Sequence, residues 1–240
     1  MIKKNVSQFD QDVVANKGFV YTTNLRYSSI VSNKRISDEV SKNISQNTEI
    51  IFDAGCGDGT YTQEIKNNFP GSKIYAADPS SEGIKIAAAR HPGIDFFVMD
   101  LEDEEAFKRF PAKLDVTVVR GVLHHMSNPE KGIRNLSKIT KKIIIVEPNG
   151  NNPLLKIIEK TSKYHIEHEE QSFSSATLKR WCTENGFTNI KIKYIGLVPF
   201  FFPTVLAKVI HFFQPLVEKI PLVNKYFCAQ IVLTSNQSND

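Results

Sequence analysis

Eight residues, Asp53-Ala54-Gly55-Cys56-Gly57-Asp58-Gly59-Thr60, in which the apolar run Glu49–Ala54 ends, carry three glycines and two carboxylates. Glycine lets a backbone turn sharply and approach a ligand with no Cβ in the way. A helix that starts after such a turn presents unpaired N–H groups and a partial positive charge. The dinucleotide fingerprint GxGxxG wants glycine where this chain has Thr60, so the motif indicates a ligand cradle without naming the ligand. Asp78 stands 21 residues after Gly57, at the end of a second apolar run. A carboxylate there can accept hydrogen bonds from both hydroxyls of a ribose. Asp100-Leu101 closes a third run, placing an acceptor for an exocyclic amine beside a side chain that can flank a purine. A single Asp at a strand end is explained by capping the next helix. Three aligned strand ends point instead to a crevice at the carboxyl edge of a sheet.

Two further concentrations of titratable groups stand out. His124 and His125 follow a fourth apolar run, and histidine titrates near neutrality, so either can serve as a general base. The alternative has one packing under the next helix and the other capping backbone, and position without geometry favours that structural or cofactor-lining role. In His165-Ile166-Glu167-His168-Glu169-Glu170, a helix would align His165, His168 and Glu169 on one face. A helix-borne metal site is one reading, but a solvated charged loop accounts for the residues better, and no metal is expected. In a functional reading, His168 and Glu169 touch an acceptor.

The elements that position these residues are legible as pattern. Glu49–Ala54, Lys73–Asp78, Ile94–Met99, Leu114–Val119 and Lys142–Glu147 are nearly continuous apolar runs, as strands buried on both faces of a parallel sheet require. Amphipathic stretches Thr60–Phe69, Ser80–Arg90, Glu104–Phe110 and Pro129–Thr140 lie between them. Such alternation predicts crossover units and a doubly wound α/β sheet. Helices are expected at 7–16, 27–45, Pro153–Tyr164 and Ser175–Glu184, and final strands at Asn189–Val198 and Phe227–Thr234.

The 240 residues are 41% hydrophobic and 23% charged, ordinary globular values that exclude a disordered or fibrous chain. The net charge of +4 is spread without a basic stripe, which argues against nucleic acid as a partner. Cys56, Cys182 and Cys228 are far apart and form no CxxC pair, and no apolar run follows the first lysines. Both features suit a reducing, cytoplasmic setting.

The segments IIFDAGCGDGTYTQEI, YAADPS, FVMDLED and RGVLHHMSNPEKGI together resemble a class I S-adenosylmethionine-dependent methyltransferase, most similar to the small-molecule branch of ubiquinone and menaquinone biosynthesis. The resemblance is specific over residues 49–148. It implies a mostly parallel, seven-stranded Rossmann-like sheet in a single domain, with an N-terminal helical lid over 1–48, a cofactor-binding core over 49–148 and an acceptor half over 149–240. It further implies that Asp53, Gly55, Cys56 and Gly57 hold the methionine part of S-adenosylmethionine, that Asp78 binds the ribose, and that Pro79 and Ser80 lie against the adenine. Asp100 and Leu101 would read the adenine, Arg120 and Gly121 would face the amino-acid end through backbone groups, and Tyr21 or Tyr27 of the lid would touch the cofactor. The implied activity is methyl transfer to a small-molecule or lipid-linked acceptor, leaving S-adenosylhomocysteine. The rivals are a binding protein that keeps the fold without chemistry and a nicotinamide-dependent oxidoreductase.

Between the last two expected strands lie residues 199–226, an insertion with five of the chain's sixteen phenylalanines and four prolines. It is expected to form short helices, Thr204–Phe213 and Gln214–Ile220, and is too interrupted to span a bilayer, which needs about 20 apolar residues. It packs as an extra layer, or it forms a lid whose apolar, lysine-bearing face touches a membrane surface.

Overall fold

The structure is a computed structural model that describes residues 10, 11, 13–15, 18–110, 113–162, 171–200 and 202–238, without the side chains of Val20 and Tyr21. The expected helix over 7–16 therefore falls mostly outside the described residues, as do residues 163–170 with His165, His168 and Glu169.

Seven strands form one sheet: β1 (Ile50–Ala54), β2 (Lys73–Asp78), β3 (Asp95–Val98), β4 (Val116–Arg120), β5 (Lys142–Pro148), β6 (Phe187–Ile195) and β7 (Gln230–Gln237), in the order β3-β2-β1-β4-β5-β7-β6. The first five pair in parallel, and β7 runs antiparallel to both β5 and β6. This is the doubly wound, Rossmann-like methyltransferase fold. Its helices are α1 (Tyr27–Lys42), α2 (Thr60–Asn68), α3 (Ser81–Arg90), α4 (Pro129–Ser137), α5 (Pro153–Thr161), α6 (Ser175–Glu184), α7 (Thr204–Val217) and α8 (Val223–Phe227), besides a single turn at Val20–Thr23.

The alternation of strand side chains builds two cores. Phe52, Val119, Ile143 and Ile145 meet Leu136 of α4 and Leu178 and Trp181 of α6 on one face. On the other, Ile51, Val118, Ile144 and Val146 meet Ile36 and Val40 of α1, Ile65 of α2 and Ile84 of α3. Local chemistry sets the helix starts. Ser80 Oγ accepts from Gly83 N at 2.9 Å, and Asn128 Oδ1 accepts from Lys131 N at 3.0 Å with Pro129 at the first helical position.

Three expectations are corrected. Glu104–Arg109 is a 3-10 turn rather than an α-helix, capped by Asp103 and closed after six residues, a length at which the tighter turn competes well. β6 starts at Phe187 because a bulge at Asn189 (φ 54°) breaks the alternation that would have marked its start. The insertion forms one helix through Pro215 instead of two. Proline's fixed φ suits a helix, and so near the C-terminus it costs little beyond one missing N–H. Among the described residues no helix is long and apolar enough to cross a membrane.

Candidate active site

Strand order reverses direction between β1 and β4, and in such sheets ligands sit at the carboxyl ends beside that switch point. The turn from β1 to α2 lies there. Gly55 takes φ +86°, and a Cβ on it would stand 2.1 Å from Val122 Cγ2, so only glycine lets this turn approach the loop after β4.

Five of the turn's N–H groups are already committed. Gly55 N and Cys56 N donate to the Ala77 carbonyl at 2.7 and 2.9 Å, Gly57 N to Asp78 Oδ2 at 3.0 Å, Gly59 N to the Cys56 carbonyl at 3.1 Å and Thr60 N to Asp58 Oδ1 at 3.2 Å. A pyrophosphate needs such donors. With these five spent, the turn suits a ligand that requires acceptors, such as an ammonium group.

Asp78 ends β2, where it is buried and accepts from Gly57 N through one oxygen and from Ser80 N through the other at 2.9 Å. Each oxygen keeps lone-pair capacity for a further donor. Burial pushes its pKa up to about 6 against those two backbone bonds, with Asp53 and Asp10 adding repulsion. Asp53, also buried, accepts from Thr62 Oγ1 at 2.6 Å, and burial pushes it up to about 6 as well, countered by Thr62 and by the charge of Arg120. The Cys56 thiol is driven well above its ordinary pKa by burial and the neighbouring carboxylates. It is an inert wall rather than a nucleophile.

The remaining expected residues divide. Ser80 Oγ caps α3 while donating to Asp10 Oδ1 at 2.6 Å, next to Pro79. Asp100 Oδ1 accepts from Glu102 N at 2.9 Å at the carboxyl end of β3. The Leu101 side chain lies in the core, and its carbonyl accepts from Asn135 Nδ2. The Arg120 guanidinium turns away from the turn to Ser37 Oγ and Asn33 Oδ1 of α1, both at 3.0 Å, with Tyr61's ring 3.6 Å away. Gly121 N donates to the Val146 carbonyl at 2.8 Å. The Tyr27 hydroxyl meets His211 Nδ1 of α7 at 2.8 Å, which ties it to the insertion and not to the glycine turn.

Sequence reasoning missed two residues. Glu147, fully buried at the end of β5, accepts from Val122 N and Leu123 N through Oε1, each at 2.8 Å, and meets His124 Nδ1 through Oε2 at 2.7 Å. The His125 ring lies against that of His124, with centroids 3.8 Å apart. Asp58, also buried, accepts through Oδ2 from Thr22 Oγ1 at 2.6 Å and Phe19 N at 3.3 Å. It thereby holds the N-terminal segment over the turn, with the Phe19 ring 3.3 Å from where a Cβ on Gly57 would sit. For Glu147 the only signal was an acid ending an apolar run; Asp58 was visible as the second carboxylate of the glycine-rich motif, with nothing local to give it a role.

Known proteins share this architecture. Protein 235L of Invertebrate iridescent virus 6, which carries a provisional methyltransferase name, is 29% identical over 111 residues, 46% of this chain. The chain spans 39% of that relative's length and 22% of another curated relative's. A SAM-dependent methyltransferase from Archaeoglobus fulgidus superposes with a TM-score of 0.59 at 18% identity, covering 88% of this chain and all of the other. The [4+2]-cyclase SpnF superposes at 0.65 with 15% identity, covering 98% and 93%, so the fold by itself does not dictate methyl transfer. A family model described as a methyltransferase domain matches residues 28–192, more than half of the sequence. The chain belongs to the methyltransferase-domain family.

Proposed function

We propose that this protein binds S-adenosylmethionine and transfers its methyl group to a small-molecule or lipid-linked acceptor, the latter met at a membrane surface through residues 199–226. The observation that carries this reading is the commitment of the glycine turn's N–H groups beside a buried Asp78. That site disfavours a pyrophosphate and suits a nucleoside whose amino-acid end presents an ammonium group to the turn's acceptors, which also weighs against the nicotinamide rival.

Bound there, S-adenosylmethionine would supply a methyl group already activated on a sulfonium. Asp78 accepts from the ribose hydroxyls, Asp100 from the adenine amine, with Pro79 and Ser80 bordering the ring; Leu101, whose side chain lies in the core, adjoins it through backbone alone. The turn around Asp53, Gly55, Cys56 and Gly57, with Gly121 and the Arg120 backbone, receives the amino-acid end. The N-terminal segment held by Asp58 excludes water, and holding the acceptor in line contributes about 7–11 kcal/mol of orientation. His124 takes the proton from an acceptor hydroxyl through Nε2. Glu147 positions it by receiving Nδ1–H, and the His125 ring packs against it at a tilt of 44°. His168 belongs to the acceptor side.

A thermal-shift comparison tests the cofactor: S-adenosylhomocysteine should raise the midpoint and NAD should not. Stabilisation by NAD alone would overturn the reading. Cofactor binding with no methyl transfer would leave the binding-protein alternative.

A further inference from the structure

Helix α7 is turned inside out. It buries only Ala207 and Gln214, while Val205, Leu206, Val209, Phe212, Phe213 and Leu216 face solvent, Phe212 at 80% exposure. The apolar surface continues through Leu222 and Phe227. It then reaches α5, because Asn152 Nδ2 donates to the Phe227 carbonyl at 3.1 Å, and α5 exposes Leu154 and Ile157. Monomeric soluble surfaces rarely carry so many large apolar side chains together.

The underside is fixed. Arg35 of α1 grips Glu218 with Nε and Nη2, the latter at 2.7 Å, and Gly196 N donates to the same carboxylate at 2.9 Å. Gln214 Oε1 accepts from Leu197 N at 3.0 Å, and Ser32 Oγ donates to the Val198 carbonyl at 2.6 Å. The insertion is thus clamped to α1 and β6, with its face held outward.

Charge identifies what the face meets. Residues 199–227 contain four charged side chains: Lys208, Glu218, Lys219 and Lys225. The acid is turned inward onto Arg35, so the insertion's outward charge is entirely positive. On α5, Glu159 is likewise occupied internally by Lys156 and Ser172, leaving Lys160 exposed. Large apolar side chains rimmed by lysines match the interface of an anionic bilayer, where apolar groups enter the headgroup boundary and lysines meet phosphate. A protein partner would more commonly meet a patch with a mixed polar rim.

We propose that α7, α8 and α5 form a platform that docks this protein onto anionic membrane surfaces. The register orients it. β5, β6 and β7 meet at Pro148↔Gln230 and Ile195↔Gln230, so the insertion leaves and rejoins the sheet at the carboxyl edge of β5. That is the edge carrying the candidate active site, so docking brings the acceptor side to the bilayer. The docking itself is independent of the methyltransferase reading; only the delivery of a lipid-linked acceptor rests on it.

The test is flotation of the full chain with vesicles of phosphatidylcholine alone or mixed with phosphatidylglycerol, alongside sedimentation without vesicles and S-adenosylhomocysteine binding. The wild type should float with the anionic vesicles and far less with the neutral ones. Phe212→Ser/Phe213→Ser and Lys219→Glu/Lys225→Glu should each lower partitioning about tenfold or more, with cofactor binding unchanged. A wild type that does not float, or variants that float equally, overturns the proposal. So does a dimer that the Phe212→Ser/Phe213→Ser change dissociates while vesicles stay bare, which assigns the face to a second copy. Loss of cofactor binding in a wild type that still floats would count against the methyltransferase reading and leave docking standing.

Discussion

His124 Nδ1 lies 2.7 Å from Oε2 of Glu147, a carboxylate with no solvent exposure whose other oxygen receives two backbone N–H groups. Those two bonds hold the carboxylate still, and it fixes the tautomer and plane of the imidazole, leaving Nε2 as the ring's basic nitrogen.

Glu147→Gln tests this pair. The amide can still accept from Val122 N and Leu123 N, but its NH2 then faces Nδ1 and shifts the ring proton to Nε2. We expect kcat to fall about 10²–10⁴-fold with little change in cofactor affinity, and the acidic limb of the pH–rate profile to move. An unaltered profile would reduce the pair to a structural contact.

Asp78→Ala should weaken S-adenosylhomocysteine binding by about 1.5–3 kcal/mol, roughly 10- to 150-fold, through loss of charge-assisted bonds. In the wild type the pKa of Asp78 is pushed up to about 6, so affinity should decline as pH falls through that value and the carboxylate gains a proton. Calorimetric titration at several pH values checks both. A variant affinity equal to wild type removes the ribose assignment.

Asp53→Asn should stabilise the apo protein at neutral pH. Burial raises the Asp53 pKa from its ordinary 3.8 to about 6, so between those values the folded state binds more protons than the unfolded one. This residue's contribution to stability therefore falls as pH rises through that window and stays low above it. Asn keeps an acceptor for Thr62 and removes the buried charge. The difference in midpoint, variant minus wild type, should grow from pH 4 to pH 7; a flat difference would contradict the assignment.

Asp58→Ala should loosen the N-terminal segment, since Thr22 Oγ1 and Phe19 N lose a buried acceptor, at a cost of about 1–3 kcal/mol. Amide exchange at Phe19 should accelerate and S-adenosylhomocysteine should dissociate faster. Unchanged exchange would show that the segment is held elsewhere.

The sheet was legible because strands buried on both faces must be apolar throughout, and runs such as Lys142–Glu147 advertise themselves. The places of Asp53, Asp78 and Asp100 along the carboxyl edge were legible because each closes or directly follows an apolar run. Glu147 was not, since its partners stand 23 to 25 residues earlier in the chain and nothing local distinguishes it from a strand-ending acid. The inward turn of Glu218 onto Arg35, 183 residues away, is equally invisible in sequence, where it simply offsets a lysine. Leu101 and Arg120 show the converse: their positions at strand ends were readable, while the direction of each side chain depended on α4 and α1 packed against them.

The most direct measurement is transfer of a labelled methyl group from S-adenosylmethionine into a cell extract, with mass spectrometry of the product, comparing wild type with Glu147→Gln. The account predicts a discrete labelled product from the wild type and a rate lower by about two orders of magnitude or more from the variant. Tight binding of S-adenosylhomocysteine by a wild type that labels nothing would contradict it.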